Sequence, residues 1–522
     1  MKRRNFLLLS AGTAAVAAAG GWAIRWRIGE QQVPVELKLR TRPLAQFDDK
    51  VEYDVCVIGS GIIGAVVAQN LAADGKRVVV IESGYSPFDT VDPKAAELEV
   101  FRNAGSIEYP FLSTRVRAVG GTTLIWTGNS ERYLPVDFAR TPQASEFPGW
   151  PISYEQIEPY YERAKDSLHV LGYVGSRFAP PRRNALSLPL GGRLKYWLRS
   201  SLGNTYFPQL DLQKAMFALG IESDVFPRST VAKADPQPWR AIAHSWPLVS
   251  ADPHITLLTG ATATSLETST SGAVVSVEVK NPSGLARRIR AGQFVIAAGG
   301  VETARLLLQS TNSHSPHGVG NGHDLVGRCF MESPDLVFLA PAGSRMRGQF
   351  GKVRYFAHYA ERAAKGLPGI ILAVDHSQPE DVLRIECGIQ MLPHAAQRIS
   401  LDRDKLDVLG NPTPVLTFDW SDSDQETFAA GRALVKDLCG QLGAGDPVEQ
   451  KELHWGHHHK GLCRMGTSPA HSVVDVNSRL HEASNCYLAG SAVFSGSGLG
   501  HPTVLAVALA HRLTDHLKAV SG

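Results

Sequence analysis

One segment of this 522-residue chain, Val55-Cys-Val-Ile-Gly-Ser-Gly-Ile-Ile-Gly64, determines what kind of sheet the protein builds. Val55–Ile58 is a short apolar run that predicts a buried parallel strand, and it leads directly into the glycine turn. Residues 65–74 have helical spacing, and the apolar run Val78–Ile81 that follows them ends at Glu82. The order strand, glycine turn, helix, strand and acid is the fingerprint of a dinucleotide-binding unit.

Each residue of the glycine turn has a predicted role. Gly59 permits the tight turn, Gly61 lets the backbone approach a pyrophosphate, and Gly64 allows the helix to pack closely on the strand. Ile62 and Ile63 lie in the turn before the helix, whose free N–H groups and positive potential attract phosphate. We therefore predict that all five residues take part in binding the dinucleotide.

The acid at the end of the second strand bears on the type of dinucleotide. Glu82 is placed to accept hydrogen bonds from ribose hydroxyls. Its charge would repel a 2′-phosphate, which disfavours NADP. The motif by itself leaves FAD and NAD equally open.

The bulk properties exclude several classes of protein. The chain is long enough for two domains, and its content of 43% hydrophobic and 20% charged residues is that of an ordinary globular protein. The net charge is only +3, and no basic patch typical of a nucleic-acid-binding protein is visible. The six cysteines lack C-x-x-C spacing, which indicates neither a zinc site nor a disulfide framework.

Residues 1–24 are predicted to be an export signal. The run Arg3-Arg4-Asn5-Phe6-Leu7-Leu8 resembles a twin-arginine signal, and the Ala/Gly-rich run after it is too weakly apolar for a typical spanning helix. A Sec signal and a membrane anchor are the alternatives. We expect a periplasmic or otherwise exported protein that contacts a membrane only through this segment, if the segment is not cleaved. Residues 25–52 are interpreted as a leader or linker.

Six later segments carry a further signal. They are the second glycine segment Arg117-Ala-Val-Gly-Gly-Thr-Thr-Leu-Ile-Trp126, Phe294-Val-Ile-Ala-Ala-Gly-Gly-Val-Glu-Thr-Ala-Arg-Leu-Leu-Leu308, Asp324-Leu-Val-Gly-Arg-Cys-Phe-Met331, His458-His-Lys-Gly-Leu-Cys-Arg-Met-Gly466, Asn485-Cys-Tyr-Leu-Ala-Gly490 and His501-Pro-Thr503. In this order, and over nearly the whole chain after residue 52, the sequence resembles the glucose–methanol–choline (GMC) oxidoreductase family. The resemblance implies FAD rather than NAD.

The resemblance implies an α/β fold in which a discontinuous Rossmann-type FAD-binding domain is joined to a substrate domain with a mainly antiparallel sheet. We assign residues 53–330 to the first parts of the FAD-binding domain, with inserted lid or substrate segments. Residues 331–450 form the substrate domain, and residues 451–522 return to the FAD-binding domain with the catalytic histidines. The Pro/Gly-rich stretch 178–192 is interpreted as a surface loop or lid.

The resemblance also assigns residues near the flavin end of the cofactor. Gly120, Gly121 and Thr122 are expected to lie there, because small residues let the backbone approach the ring system. Some family members attach FAD through a histidine just after this signature. Ile125 occupies the matching position here, so we expect FAD to be bound without a covalent bond.

Four residues near the C-terminus complete the predicted cofactor site. Gly490 and Ser491 begin a turn that in the family meets the pyrophosphate and ribityl chain. Because the family often has an acid where Gly490 stands, backbone N–H groups must supply that contact here. Pro502 and Thr503 are assigned to the same site.

Two histidines are the candidate catalytic residues. The resemblance places His458 and His501 over the flavin face, with His458 as principal base and His501 orienting the substrate oxygen; the reverse assignment stays open. A neutral imidazole suits removal of the alcohol proton near pH 7. The histidines beside His458, at 454, 457 and 459, also fit a solvated loop or a metal site. No acid with a recognisable ligand motif accompanies them, so we predict no metal.

The predicted activity is hydride transfer from a CH–OH group to flavin N5, with a sugar or polyol as the leading substrate class. We expect a quinone, haem or other partner to receive the electrons. An oxygen-reducing oxidase is the alternative enzyme. A redox-inactive flavin-binding subunit is the alternative of another class.

Overall fold

The computed structural model describes residues 40–86, 91–126, 128–139, 147–168, 250–342, 350–376, 381–498 and 500–520, with short pieces between 170 and 229. The predicted export signal 1–24, the first part of the leader 25–52 and the predicted lid 178–192 lie outside these ranges. Within the ranges, no helix has the length and apolar character needed to cross a membrane. All six cysteines fall within them, where they are buried and form no disulfide.

The described residues form helices and strands that we number in chain order. The helices are α1 Ile62–Ala72, α2 Pro135–Phe138, α3 Tyr154–Ser167, α4 Gly300–Gln309, α5 Tyr359–Ala364, α6 Asp422–Leu442 and α7 Thr503–Val520. The strands are β1 Arg42–Pro43, β2 Glu52–Ile58, β3 Val78–Ile81, β4 Arg102–Ala104, β5 Val170–Leu171, β6 Arg228–Ser229, β7 Ile255–Thr259, β8 Thr262–Thr268, β9 Val274–Lys280, β10 Ala286–Ile296, β11 Pro334–Pro341, β12 Phe350–Ala357, β13 Ile370–His376, β14 Val382–Ile389, β15 Arg398–Leu406, β16 Pro412–Thr417, β17 Val448–Glu449, β18 His454–Trp455 and β19 Cys486–Leu488.

The segment quoted first forms the centre of an eight-stranded sheet. β2 and β3 pair in parallel from Val55 opposite Val78 to Ile58 opposite Ile81, and the side chains of β3 are fully buried. Such continuous apolar runs are typical of strands covered on both faces. The sheet order is β1-β7-β3-β2-β10-β9-β8, and β19 pairs with β10. Strands far apart in sequence thus meet in one sheet, which confirms the discontinuous Rossmann-type domain.

A six-stranded sheet forms the second layer and is antiparallel throughout. Its order is β12-β13-β14-β11-β17, with β18 also paired to β11. In β14, Ile385 and Cys387 belong to a core that α6 covers, whereas Glu386 and Gly388 point to the opposite side and line a cavity. This alternation follows from the period of two in a strand. The predicted antiparallel sheet of the substrate domain is therefore confirmed.

A third sheet links the two regions. β16 pairs antiparallel with β15 and parallel with β4. A strand from the first part of the chain thus joins two strands of the predicted substrate domain, residues 331–450. Beside it, Arg305 of α4 forms a buried ion pair with Asp407, at 2.9 Å between Nη2 and Oδ2.

Helix α7 anchors the last predicted site residues. Val504, Leu505 and Leu509 are buried, and the helix packs against α1 and α3. Full burial of one such side chain stabilises a fold by about 1.5–3 kcal/mol. Because His501 lies only two residues before α7, this packing fixes the backbone that presents its ring.

Candidate active site

A cavity of about 590 Å³ is lined by residues of both large sheets. Apart from Gly64 and Gly120, every predicted site residue lines it. The lining includes the predicted cofactor residues Gly59, Gly61, Ile62, Ile63, Glu82, Gly121, Thr122, Gly490, Ser491, Pro502 and Thr503 and the histidines His458 and His501.

Gly64 and Gly120 support the cavity from behind its wall. A Cβ on Gly64 would lie 1.9 Å from the carbonyl oxygen of Gly59, so no side chain fits between α1 and the turn. Gly120 has a φ of 95° and donates its N–H to the carbonyl oxygen of Ser60 at 3.2 Å. These two predicted cofactor residues therefore hold the glycine segments together and do not line the cavity themselves.

The side chain of Glu82 links the glycine turn to the end of β3 through hydrogen bonds. Its buried carboxylate accepts hydrogen bonds from the N–H and hydroxyl of Ser60 and from the N–H of Gly84. A carboxylate has about four lone-pair sites, so these three contacts leave capacity for one more donor. Since Glu82 also lines the cavity, a ribose hydroxyl remains its predicted ligand contact.

The cavity has the donors that a diphosphate requires. Helices α1, α4 and α7 begin with Ile62, Gly300 and Thr503, and all three residues line the cavity. The first N–H groups of a helix have no partner within the helix, and its N-terminal end is positive. Three helix ends that meet at one cavity suit an anionic group.

Buried polar atoms without a hydrogen-bond partner give an independent test of whether the cavity suits a polar ligand. Three residues of the lining, Arg115, Trp126 and Gln309, each have a buried side-chain nitrogen or oxygen without a hydrogen-bond partner among the described residues. Buried polar groups are normally hydrogen-bonded, so a polar ligand is expected here. The lining residues therefore fit FAD.

A cluster of arginines and glutamates in the cavity wall was not foreseen from the sequence. Arg115 and Arg117 each contact both Glu99 and Glu302. Burial opposes ionisation of Glu302, but the charges of the surrounding arginines, Arg305 of α4 included, outweigh it and lower its pKa to about 2. The cluster connects the second glycine segment to α4. In the sequence, the signal for it was the pair Arg115 and Arg117, a few residues before Gly120.

His458 and His501 come together on the cavity wall, although they are 43 positions apart in the sequence. Their ring centroids are 5.1 Å apart and the ring planes meet at 88°. Two imidazoles at this spacing and angle can both reach one small hydroxyl group. The fold therefore brings the two predicted catalytic residues next to each other.

The surroundings of His458 keep its ring neutral. Its Nδ1 lies 3.0 Å from the Ser333 hydroxyl, and its backbone N–H donates to Glu332. Burial lowers the pKa of His458 well below its usual range, and the nearby charges of His501 and Lys460 act in the same direction. A neutral imidazole is the form that general-base chemistry needs.

His501 has different neighbours. Its Nδ1 lies 2.6 Å from a carboxylate oxygen of Glu131, whose side chain is only 4% exposed. Its Nε2 lies 3.1 Å from the amide nitrogen of Asn129. A buried carboxylate behind an imidazole holds one tautomer and can stabilise a positive charge that forms on the ring.

The structure separates the remaining histidines of the run from this pair. His457 is exposed, and its φ of 62° is in the left-handed region. His459 packs among aromatic rings, with its Nε2 near the hydroxyls of Thr114 and Tyr109, and burial lowers its pKa to about 3. His454 lies at the edge of the six-stranded sheet. His458 alone of the four faces His501.

His454 belongs to a group of possible cation ligands. Ligand atoms of Asp335, Glu386 and His454 all lie within 4.8 Å of one another, on β11, β14 and β18, and the three residues line the cavity. His454 Nδ1 is 3.1 Å from Asp335. The sequence prediction of no metal considered only the acids near 449–452, because strand pairing brings Asp335 and Glu386 to the histidine from far along the chain.

The sequence analysis missed three residues in direct contact with the two rings, and it missed Lys460, which reaches His458 through Ser333. Asn129 and Glu131 follow the second glycine segment by a few residues, and Ser333 follows the segment that ends at Met331. Lys460 lies within the histidine run itself. Their positions beside recognised motifs could have identified them as candidates. The sequence did not predict that their side chains are buried.

Comparison with known proteins agrees with this architecture. Residues 393–510 match a family model described as GMC oxidoreductase. Paromamine 6'-oxidase of Streptomyces fradiae is 30% identical over 519 residues, which cover 91% of this chain and 92% of that protein. The fructose dehydrogenase large subunit of Gluconobacter japonicus is 25% identical over 541 residues, which cover 90% and 98%.

Among solved structures, formate oxidase superposes with a TM-score of 0.66 at 16% identity, covering 91% of this chain and 99% of that one, and this likeness concerns the fold. The matches extend over almost the whole length of these relatives. The cavity described above fits FAD. The chain therefore belongs to the GMC oxidoreductase family and is an FAD-dependent oxidoreductase of CH–OH groups.

Proposed function

We propose that the enzyme oxidises a secondary or primary alcohol of a sugar or polyol at the His458–His501 pair. The observation that carries the proposal is the perpendicular arrangement of the two rings in the wall of the cofactor-sized cavity. A protein that merely stored flavin would need neither ring at this place.

The chemistry divides between the cofactor and the chain. FAD, when bound, accepts at N5 the hydride that leaves the carbinol carbon. The histidine pair takes the O–H proton, so that the two hydrogens leave separately and the carbon–oxygen bond becomes double. The predicted residues that line the cavity would hold the cofactor, among them Gly59, Gly61, Glu82, Gly121, Gly490, Ser491, Pro502 and Thr503. The alkyl side chain of Ile125 cannot form a covalent bond to it.

The six-stranded sheet supplies groups that suit a polyhydroxylated substrate. Asp335 and Glu386 present carboxylates to the cavity, and carboxylates accept hydrogen bonds from hydroxyls. Trp126 adds an aromatic surface and a buried N–H without a partner among the described residues. The relationship to the fructose dehydrogenase large subunit supports a sugar as substrate.

An amino sugar is a second candidate, and the same carboxylates favour it. Asp335 and Glu386 would compensate the charge of a protonated amine, because opposite charges attract strongly in a partly buried site. Paromamine 6'-oxidase is the relative that supports this candidate. The two candidates differ in charge, so they make different predictions for variants of the carboxylates.

We further propose that the protein is exported by the twin-arginine route and passes its electrons to a quinone, a haem or another protein. The Arg3-Arg4 pair supports export, and the name "large subunit" of the fructose dehydrogenase supports a partner subunit. Arg3→Lys combined with Arg4→Lys is expected to leave active protein in the cytoplasm. Unchanged localisation in cell fractions would contradict the export route.

The function is tested by anaerobic reduction of the bound flavin. The purified enzyme is mixed with D-fructose, other sugars, polyols, simple alcohols and paromamine, and the loss of flavin absorbance is followed. We expect bleaching by at least one sugar or amino sugar, and slow reoxidation by oxygen compared with a quinone. Oxygen as the faster acceptor would identify an oxidase, and no bleaching by any compound would contradict the proposal.

A further inference from the structure

The two histidines have opposite charges behind them. Glu131, a carboxylate, lies behind His501, whereas the ammonium of Lys460 lies behind His458, one hydroxyl group away. A carboxylate can only accept a hydrogen bond and an ammonium can only donate one. These neighbours therefore distinguish the roles of the two rings.

Lys460 is an unusual residue for this place. Its side chain is fully buried, and its Nζ donates to two hydroxyl oxygens, to Ser333 at 2.8 Å and to Ser497 at 2.5 Å. Lysine is rarely buried without a function or a close counter-ion. Burial lowers its pKa to about 8, against the opposing charges of Glu332 and Asp137, so the side chain is mainly protonated at neutral pH.

The hydroxyl of Ser333 connects the ammonium of Lys460 to the ring of His458. Ser333 Oγ contacts Lys460 Nζ and His458 Nδ1. An ammonium can only donate, so of these two partners only Nδ1 can accept the hydroxyl hydrogen. With the Ser333 hydrogen donated to this ring, Nδ1 is the unprotonated nitrogen and Nε2 carries the ring hydrogen. In this tautomer His458 donates a hydrogen bond through Nε2.

His501 has the opposite tautomer. A carboxylate can only accept, so Glu131 receives the hydrogen of His501 Nδ1, and Nε2 keeps its lone pair. The amide of Asn129 donates to that lone pair at 3.1 Å. An alcohol hydroxyl that displaces the amide would donate to the same atom.

We infer that His501 takes the alcohol proton, while the Lys460–Ser333 pair holds His458 neutral as the hydrogen-bond donor to the substrate oxygen. The O–H bond breaks, its proton bonds to His501 Nε2, and Glu131 compensates the positive charge that forms. Lys460 and Glu131 are positioning residues. The assignment rests on the proposed alcohol oxidation. It adds which ring accepts the proton and which ring donates a hydrogen bond.

Other charges around the two rings do not reverse this assignment. Glu332 precedes β11 and accepts the His458 N–H, and burial raises its pKa. Asp137 of α2 also faces Lys460, and burial raises its pKa to about 7. His457 and His459 flank His458, and a positive charge on either would oppose protonation of His458 as Lys460 does.

The test reads the ring nitrogens directly. The FAD-loaded enzyme is labelled with nitrogen-15 in histidine, and long-range proton–nitrogen correlation distinguishes the tautomers, with signals assigned through His458→Gln and His501→Asn. We expect His458 to be neutral and protonated at Nε2 at pH 6, and His501 to be protonated at Nδ1. A bare Nε2 on His458 would overturn the assignment.

Three variants and one control separate a positioning role from a role in packing alone. Lys460→Met, which keeps the chain length, should let His458 take up a proton at higher pH, and Ser333→Ala should remove its tautomer preference. Glu131→Gln should slow flavin reduction by about 10²- to 10⁴-fold, as loss of a general base does. Ser497→Ala, which removes the other partner of Lys460, should leave the His458 signals unchanged.

Each outcome has one meaning. Lys460→Met enzyme with wild-type His458 signals, or Glu131→Gln enzyme with a wild-type rate, would end the proposal. If Lys460→Met does not fold, Ser333→Ala decides, because it cuts the link and keeps the charge. If no compound bleaches the flavin, alcohol oxidation fails as the function, but the ring signals still test the assignment.

Discussion

The ring of His458 stands perpendicular to the ring of His501, at 88° and with centroids 5.1 Å apart. His501 is backed by a buried carboxylate and His458 by a buried ammonium, so the pair is polarised across the place where the alcohol would bind. Substitutions at the two histidines should therefore have unequal effects.

We expect His501→Ala to slow flavin reduction by about 10²- to 10⁴-fold, because the proton acceptor is lost. His501→Asn should be milder, since an amide can still bind the substrate oxygen. His458→Ala should cost about 10²-fold, the effect of losing one hydrogen-bond donor. The measurement is anaerobic stopped-flow bleaching together with the ratio of FAD to protein.

The exposed His254, before β7, offers a matched control. His254→Ala should reduce its flavin at the wild-type rate. A much greater loss in His458→Ala than in His501→Ala would return the role of base to His458.

Two glycines of the same turn should respond differently to substitution. No atom lies within 4 Å of a Cβ built on Gly61, so Gly61→Val should fold normally but bind FAD at least tenfold more weakly, because its side chain enters the cavity. Gly64→Ala should instead lower the free energy of unfolding by about 1–3 kcal/mol through overpacking. Thermal unfolding of the apoproteins and FAD titration check both.

A wild-type FAD affinity in Gly61→Val would contradict the site. Unchanged stability in Gly64→Ala would show that α1 can move away from the turn.

The flavin should be released when the protein is denatured. Ile125 lies where some family members bond FAD through histidine, and an alkyl side chain forms no such bond. Acid precipitation is expected to leave the yellow colour in the supernatant, where chromatography identifies FAD. Flavin that stays with the precipitated polypeptide would contradict this prediction.

The sequence predicted those parts of the fold that depend on neighbours in the chain. The run Val78–Ile81 was predicted as a strand with its observed limits, and the helix after the glycine turn begins at Ile62, slightly before the predicted span. Apolar runs and glycine turns act locally, so their spacing is informative. The antiparallel second sheet came from the family resemblance.

The partners of the catalytic rings could not be predicted in this way. Glu131 and His501 are 370 residues apart, and no local pattern records that they meet. Lys460 was visible within a recognised motif, but lysines are usually exposed, and its burial arises from packing of distant segments around it. Long-range contacts thus determine the chemistry that separates the two histidines.

Stability should depend on pH through Glu302. The folded protein holds the pKa of Glu302 at about 2, below the ordinary value of 4.5, because burial is outweighed by the charges of Arg115, Arg305 and Arg117. This contribution is therefore present above pH 4.5 and is lost as the pH falls towards 2. We expect Glu302→Gln to lower the free energy of unfolding by about 3 kcal/mol at pH 7.

Urea unfolding of FAD-saturated enzyme at several pH values measures the difference. It should shrink as the pH falls below 4.5. A difference between the variant and the wild type that stays constant down to pH 3 would mean that the charge of Glu302 is not what stabilises the cluster.

The carboxylates on the six-stranded sheet should decide between neutral and aminated sugars. Asp335→Asn and Glu386→Gln remove one negative charge each from the cavity wall while keeping hydrogen-bonding groups of the same size. If the substrate carries a protonated amine, KM for it should rise about tenfold per variant, equivalent to about 1.4 kcal/mol. KM for a neutral sugar should change much less, because an amide still binds hydroxyls.

The comparison is made with paromamine and D-fructose on the same preparations, with the flavin reduction rate at saturation recorded separately from KM. Asp437→Asn, an exposed substitution on α6, controls for the overall charge of the domain. Equal changes in KM for both compounds would assign the carboxylates to hydroxyl binding alone. A loss at saturation without a change in KM would place their effect on the reacting groups and exclude a role in substrate selection.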